Sequence, residues 1–239
     1  MKISVICVTE NRQAFIPWLF WNYDRLKWPN KELVIIDSSE TAVNRPKAPK
    51  LENVIYERAK GLNVPAKRNV GLALASGDYI TWLDDDDWRH PDALKTLGAM
   101  VNKKDTHLAG GKTAVFCDLA SGQVRRFTQR KGVLFANMLI SATMARGIPF
   151  LEDLERGSDL AWLELLQTKH KISETYEIPS LFLCHDQNLG NKAAVHYFNR
   201  PLSDFTERIS KSAWADTDSS MEALRIRIKE TAVKGKKGK

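Results

Sequence analysis

The sequence is poor in cysteine and in long apolar runs, and its acidic residues thin out at one end. Three cysteines, Cys7, Cys117 and Cys184, lie far apart in a chain of 239 residues. An odd number at such spacings supplies neither a disulfide framework nor a zinc site, so a reducing, cytoplasmic location is the default expectation. No apolar stretch reaches the roughly eighteen residues that span a bilayer. The longest candidate, GVLFANMLISATMA, is interrupted by Asn137, Ser141 and Thr143. The opening MKISVICV passes straight into strand-like sequence, with no small-residue cleavage site of the secretory kind. Residues 225–239 hold seven Lys and Arg against the single acid Glu230, and so carry six of the seven excess positive charges of the chain. The remainder is close to neutral and is not a basic nucleic-acid-binding module. The last residues, 234–239, have no apolar group to order them and read as a disordered basic tail. Such a tail suits contact with an anionic surface, either a membrane, where the protein would sit peripherally, or nucleic acid.

What is present is an alternation of strand and helix signals. ISVICV (3–8) is a continuous apolar run, as expected of a strand buried on both faces. ELVIID (32–37), NVIYE (53–57) and DYITWL (78–83) repeat the signal. Between them lie helix patterns: the aromatic-rich stretch before residue 27, VPAKRNVGLALAS (64–76) with proline in its first turn, and HPDALKTLGAMVNK (90–103). This order predicts an α/β fold with a mixed, mainly parallel sheet of doubly wound type, flanked by helices. The second half differs. LAGGKTAVFCD and QVRRFTQ flank LASG as a hairpin, and MLISATMAR reads as a strand. SDLAWLELLQTKH (158–170) reads as a helix N-capped by Ser158 or by Asp159 itself. Residues 171–186 are extended, and the sequence after Asn188 is mostly helical. The expected organisation is one domain over 1–190, with halves at 1–105 and 106–190. A helical extension over 191–233 and the basic tail follow.

Four adjacent carboxylates, Asp84 to Asp87, stand at the end of the fourth strand. Like charges about 4 Å apart repel by about 1 kcal/mol in water and by several times that near a protein surface. Such a run either splays into solvent or shares a cation. Residues two apart in an extended chain lie on one face, so Asp84 and Asp86 can serve one ligand set. Hard oxygen ligands select Mg²⁺ or Mn²⁺. The alternative is an acidic helix start, with Asp86, Asp87 and Asp92 favouring a helix dipole. Ligands of open α/β sheets bind beyond the carboxyl ends of the strands, where Thr9 to Asn11 and Asp37 also fall.

The ordered motifs VICVTENR, LVIIDSS, AKRNVGLALASGDYITWLDDDD, GSDLAWL and LCHDQN resemble those of family-2 glycosyltransferases with the GT-A fold, over residues 1 to about 190. The resemblance implies a metal-dependent, inverting transfer of a sugar from a nucleotide-sugar donor, by default a UDP-sugar, to an acceptor hydroxyl. It implies nucleotide-sugar contacts at Thr9, Glu10, Arg12, Asp37, Arg68, Asp84 and Asp85. Glu10 stands where many relatives carry an aromatic residue. The aspartate-x-aspartate motif falls on Asp84 and Asp86, and the run of four leaves the register open by one. The resemblance makes Asp86 and Asp87, and His185 in LCHDQN, the metal candidates, for Mn²⁺ or Mg²⁺. Asp159 matches the catalytic base, with Ser158 where the family has glutamate, and Glu152, Asp153 and Glu155 lie close by. Two other readings stay open at this point: a non-catalytic nucleotide-sugar-binding protein on the same fold, and a nucleotidyltransferase. The second usually needs a glycine-rich loop after the first strand, and VTENRQAF has no glycine. The acceptor is open among glycans, lipid-linked sugars, proteins, small molecules and nucleic acid.

Overall fold

The computed structural model describes residues 1–44, 53–102, 106–154, 156–186, 200–206 and 209–237. The chain runs β1 (Ile3–Thr9), α1 (Ile16–Arg25), β2 (Lys31–Asp37), β3 (Val54–Arg58), α2 (Val64–Leu74), β4 (Tyr79–Trp82), β5 (Trp88–Arg89) and α3 (Ala93–Val101). It continues through β6 (Leu108–Gly111), β7 (Thr113–Asp118), β8 (Gln123–Thr128), β9 (Met138–Ser141), α4 (Ala142–Arg146), α5 (Ser158–Lys169), β10 (Ser173–Thr175) and β11 (Ser180–Cys184). Past residue 199 come β12 (Arg200–Pro201), α6 (Ser203–Thr206), α7 (Lys211–Trp214) and α8 (Thr217–Lys237).

A seven-stranded sheet in the order β10-β6-β9-β4-β1-β2-β3 forms the centre. β4, β1, β2 and β3 pair in parallel, and only β9 runs against its neighbours β4 and β6. The expected α/β class and mainly parallel sheet are what the chain forms. Strand periodicity explains the two cores. Ile3, Val5 and Cys7 point to α1 and α3, while Ile6 points to α2, with Val34 and Ile36 beside it. Both faces are covered, which is why these strands read as unbroken apolar runs. α2 starts where Asn63 accepts a hydrogen bond from Ala66 N (3.0 Å).

A second sheet, β12-β8-β7-β11-β5, packs on the amino-terminal part of α1 and on α7 and α8 through Phe15, Trp18, Trp214, Met221 and Leu224. Several sequence expectations change here. LAGGKTAVFCD is two strands in different sheets, β6 in the first and β7 in the second. MLISATMAR is strand only to Ser141, whose side chain accepts from Met144 N and starts α4. The halves 1–105 and 106–190 are not separate layers, because β6, β9 and β10 complete the central sheet and β5 joins the second. Strand pairing is decided by long-range partners, which local sequence does not carry. Among the described residues the extension is mainly helical after β12, and α8 continues to Lys237, so the expected disordered tail is helical over 234–237. Lysine is a good helix former, and adding residues to an existing helix costs little. Glu155, and the predicted helix between residues 191 and 199, lie outside the described residues.

Candidate active site

The carboxyl ends of β1, β2 and β4 lie side by side, and Lys67 and Arg68 of α2 and Ser158 at the start of α5 gather beside them, which is the crevice position of an open α/β sheet. At the end of β1 the chain turns sharply at Asn11, which takes a left-handed φ of 54°. Its amide donates to Ser39 Oγ (2.7 Å), and its Oδ1 accepts from Glu40 N (3.1 Å). That turn directs Arg12 at the aspartate run. Arg12 Nη1 donates to Asp85 Oδ1 (2.7 Å) and to Asp86 Oδ2 (2.8 Å). Asp85 Oδ2 accepts from Thr9 Oγ1 (2.5 Å), and Asp85 is fully buried. Three residues expected at the donor, Thr9, Arg12 and Asp85, thus hold one another. Both Asp85 oxygens are engaged by neighbouring side chains, so Asp85 anchors Thr9 and Arg12. The run does not alternate like a strand: Asp85 and Asp86 form a turn and are both buried, while Asp84 and Asp87 on either side are half-buried.

Asp86 Oδ2 also lies 3.1 Å from His185 Nε2, so the histidine just after β11 meets the aspartate run. The imidazole stacks near Phe15, with ring centroids 4.6 Å apart. Burial pushes the Asp86 carboxyl up, but Arg12 and His185 outweigh it and hold it below the usual range. Asp84 moves the other way, to about 6. Burial is the main cause, opposed by Arg68 and reinforced by Asp86, Asp85 and Asp159. Asp87 is pushed up well above its ordinary value by burial and by Asp86 and Asp84, while its carbonyl accepts from Trp18 Nε1 (3.1 Å).

Asp159 sits in the first turn of α5, half-buried and close enough to Asp84 to act on its charge. The residue that caps α5 is Gly157, at φ 73°, and neither Ser158 nor Asp159 does so. Glycine adopts that backbone without strain, and this frees both side chains. Ser158 Oγ accepts from Arg68 Nη1 (3.2 Å). The Arg68 guanidinium lies over Phe135 (4.5 Å) and Phe150 (5.4 Å), so Arg68 is a buried, fixed cation beside Asp84. Asn69 holds the wall by donating to Phe150 O (3.0 Å) and Glu152 Oε1 (2.8 Å). Glu152 and Asp153 are exposed.

Asp37 is fully buried at the carboxyl end of β2. Its Oδ1 accepts from Ser39 N (2.8 Å), and its Oδ2 accepts from Val43 N (3.1 Å) and Tyr56 Oη (2.5 Å). It shapes the loop from residue 38 to 44. The sequence reading missed Lys67. This lysine is 1% exposed and donates to Ser38 Oγ (2.8 Å), Thr9 O (3.3 Å) and the half-exposed Glu10 (3.2 Å). Its signal was its place one residue before Arg68, near the start of the helix that lines the crevice.

Among the described residues, no three His, Cys, Asp or Glu side chains are gathered as metal ligands. A divalent ion of the Mg²⁺ type needs only one or two protein carboxylates, with phosphates and water completing its shell. The Asp86–His185 pair, an oxygen and an imidazole donor 3.1 Å apart with Asp84 two residues away, fits such an ion.

Comparison with known proteins gives the frame for this geometry. The profile of glycosyl transferase family 2 matches residues 4–147, more than half of the chain. An uncharacterized glycosyltransferase of Haemophilus influenzae is 28% identical over 146 residues, which cover 57% of this chain and 56% of that protein. The poly(ribitol-phosphate) β-N-acetylglucosaminyltransferase TarS of Staphylococcus aureus is 28% identical over 110 residues, 43% of this chain and 19% of TarS. The match thus spans about half of the first relative and a fifth of the second. The structure of TarS 1–349 with UDP-GlcNAc superposes with a TM-score of 0.63 at 16% identity, over 95% of this chain and 81% of that one. A Pyrobaculum calidifontis mannosyltransferase with GDP-Man and Mn²⁺ gives 0.61 at 11% identity, over 97% and 75%. The fold is that of the GT-A glycosyltransferases. The chain belongs to glycosyl transferase family 2.

Proposed function

We propose that the chain is a metal-dependent, inverting glycosyltransferase that moves a sugar from a nucleotide-sugar donor, a UDP-sugar by preference, to an acceptor hydroxyl. The observation that carries this reading is the meeting of two carboxylate groups in one crevice. Asp84 and Asp86 close the end of β4, and Asp159 lies close enough to raise the Asp84 carboxyl. UDP-GlcNAc and GDP-Man in the neighbouring structures support a nucleotide-sugar donor. The Mn²⁺ in the mannosyltransferase structure supports a divalent ion.

In this reading the loop shaped by Asp37 receives the nucleoside. Asp86 and His185 would hold Mn²⁺ or Mg²⁺. When bound, the ion supplies positive charge against the negative charge of the departing nucleoside diphosphate. Arg68 is held rigid by Ser158 and two aromatic faces, and supplies a second fixed positive charge next to Asp84. Asp159 takes the proton of the acceptor hydroxyl as it attacks the anomeric carbon from the face opposite the leaving group. The half-buried setting of Asp159 leaves it reachable by an acceptor.

The test is Asp159→Asn. It keeps the size of the side chain and removes its basicity. Donor and Mn²⁺ affinity should stay near wild type while sugar transfer falls about 10²- to 10⁴-fold, the usual contribution of a positioned general base. Near-normal transfer by Asp159→Asn, with transfer lost in Glu152→Gln, would move the base upstream.

A further inference from the structure

Arg12 stands where a cation is wanted. Its Nη1 bridges Asp85 Oδ1 (2.7 Å) and Asp86 Oδ2 (2.8 Å), two carboxylates whose side chains are only 1% and 7% exposed. The guanidinium is not a loose surface group. The side chain is 16% exposed and lies 5.7 Å from the centre of the Phe15 ring, against which His185 also packs. Its backbone follows the left-handed Asn11, which is tied on both sides to the loop after β2 through Ser39 and Glu40. Asp85, anchored by Thr9, holds it from below.

This placement has a chemical consequence. The Asp86 oxygen that faces His185 already accepts from Arg12. A divalent cation arriving alone meets a fixed positive charge at its own ligand. A nucleoside diphosphate changes the balance, because it brings negative charge and offers the guanidinium a second acceptor of the type it pairs with in a bidentate way. We infer that Arg12 is a built-in counter-ion that keeps the divalent cation weakly bound until a nucleoside diphosphate enters, so that metal and donor load together. The inference rests on the reading of Asp86 as a metal ligand. Thermodynamic linkage makes the coupling reciprocal, so the metal tightens the nucleotide by the same factor. A unit charge about 4–6 Å from a titrating group changes its proton affinity by about 10- to 1,000-fold, and a doubly charged ion feels that field at least as strongly. Removing the Arg12 charge should therefore raise metal-only affinity about tenfold or more.

The experiment titrates Mn²⁺ into the full chain, following free Mn²⁺ by electron paramagnetic resonance, without nucleotide and with saturating UDP. Arg12→Gln is expected to bind Mn²⁺ alone about tenfold or more tighter than wild type, with UDP adding correspondingly less. Arg12→Lys keeps the charge but gives up the planar bridge, so its metal-only affinity should fall between the two. If Arg12→Gln does not fold around its buried carboxylates, Arg12→Lys carries the test. Equal metal-only affinities in wild type and the folded variants overturn the inference. An Asp86→Asn protein that binds Mn²⁺ as wild type does overturns the ligand assignment itself, a separate failure visible in the same titration.

Discussion

Replacing Glu32 by glutamine should make stability lose part of its pH dependence, and the amount follows from the network around that carboxylate. Glu32 is 3% exposed at the start of β2, at the sheet edge opposite the crevice. Its Oε1 accepts from Ser4 Oγ (2.5 Å) and Ser76 N (2.6 Å). Its Oε2 accepts from Ser76 Oγ (2.7 Å) and pairs with Lys2 Nζ (2.6 Å). Burial works against the charge, but Lys2, Ser4 and Ser76 outweigh it and hold the carboxyl at about 2. The unfolded value is about 4.3, and each pKa unit is worth about 1.4 kcal/mol. Because the Lys2 side chain is one-third exposed, solvent trims the result to about 2–3 kcal/mol at neutral pH. The folded value lies below the unfolded one, so this stability is complete above about pH 5. It is roughly halved by pH 3 and gone below about pH 2. Protonated glutamate resembles glutamine in shape and charge. The gap between wild type and Glu32→Gln should therefore be largest at pH 7 and shrink on acidification. Urea unfolding followed by tryptophan fluorescence at pH 7 and pH 3 measures it. Donor binding should not change, since the residue is remote from the crevice. An equal gap at both pH values, or a wider one at pH 3, would refute the reasoning.

Two further substitutions probe the packing and the loop proposed to receive the nucleoside. Gly71→Ala places a methyl 2.6 Å from Ile6 Cγ2, where α2 presses on β1, so it should lower stability by about 1–2 kcal/mol although alanine is the better helix former; a raised unfolding midpoint would contradict this close approach. Asp37→Asn cannot accept from Ser39 N, Val43 N and Tyr56 Oη as the carboxylate does. It should cost about 1–3 kcal/mol, speed amide exchange over residues 38–44 and weaken UMP and UDP alike; weakening confined to Mn²⁺-dependent binding would move Asp37 to the metal side.

The alternation of β1 to α3 was legible in the sequence because parallel strands covered on both faces leave unbroken apolar runs, and the helices between them carry local signals such as proline near the start of α2. The aspartates were legible as a site because four like charges at a strand end need an outside reason. What the tertiary structure decided was the direction and partner of each charged side chain. Neighbouring aspartates are chemically identical in sequence, yet Asp85 turns to Thr9 and Arg12 while Asp84 lies under the charges of Arg68 and Asp159. Arg12 and His185 meet Asp86 across 74 and 99 residues, contacts that no local pattern encodes. Lys67 carries no signal of burial in the sequence, and its partners at the ends of β1 and β2 come together only in the fold. The second sheet arose the same way, since β11 joins β7 and β5 from distant parts of the chain. Local propensity and periodicity act over a few residues and determine which segments become strands and helices. Charge pairing and strand register act across the folded chain, so they are settled only when those segments pack.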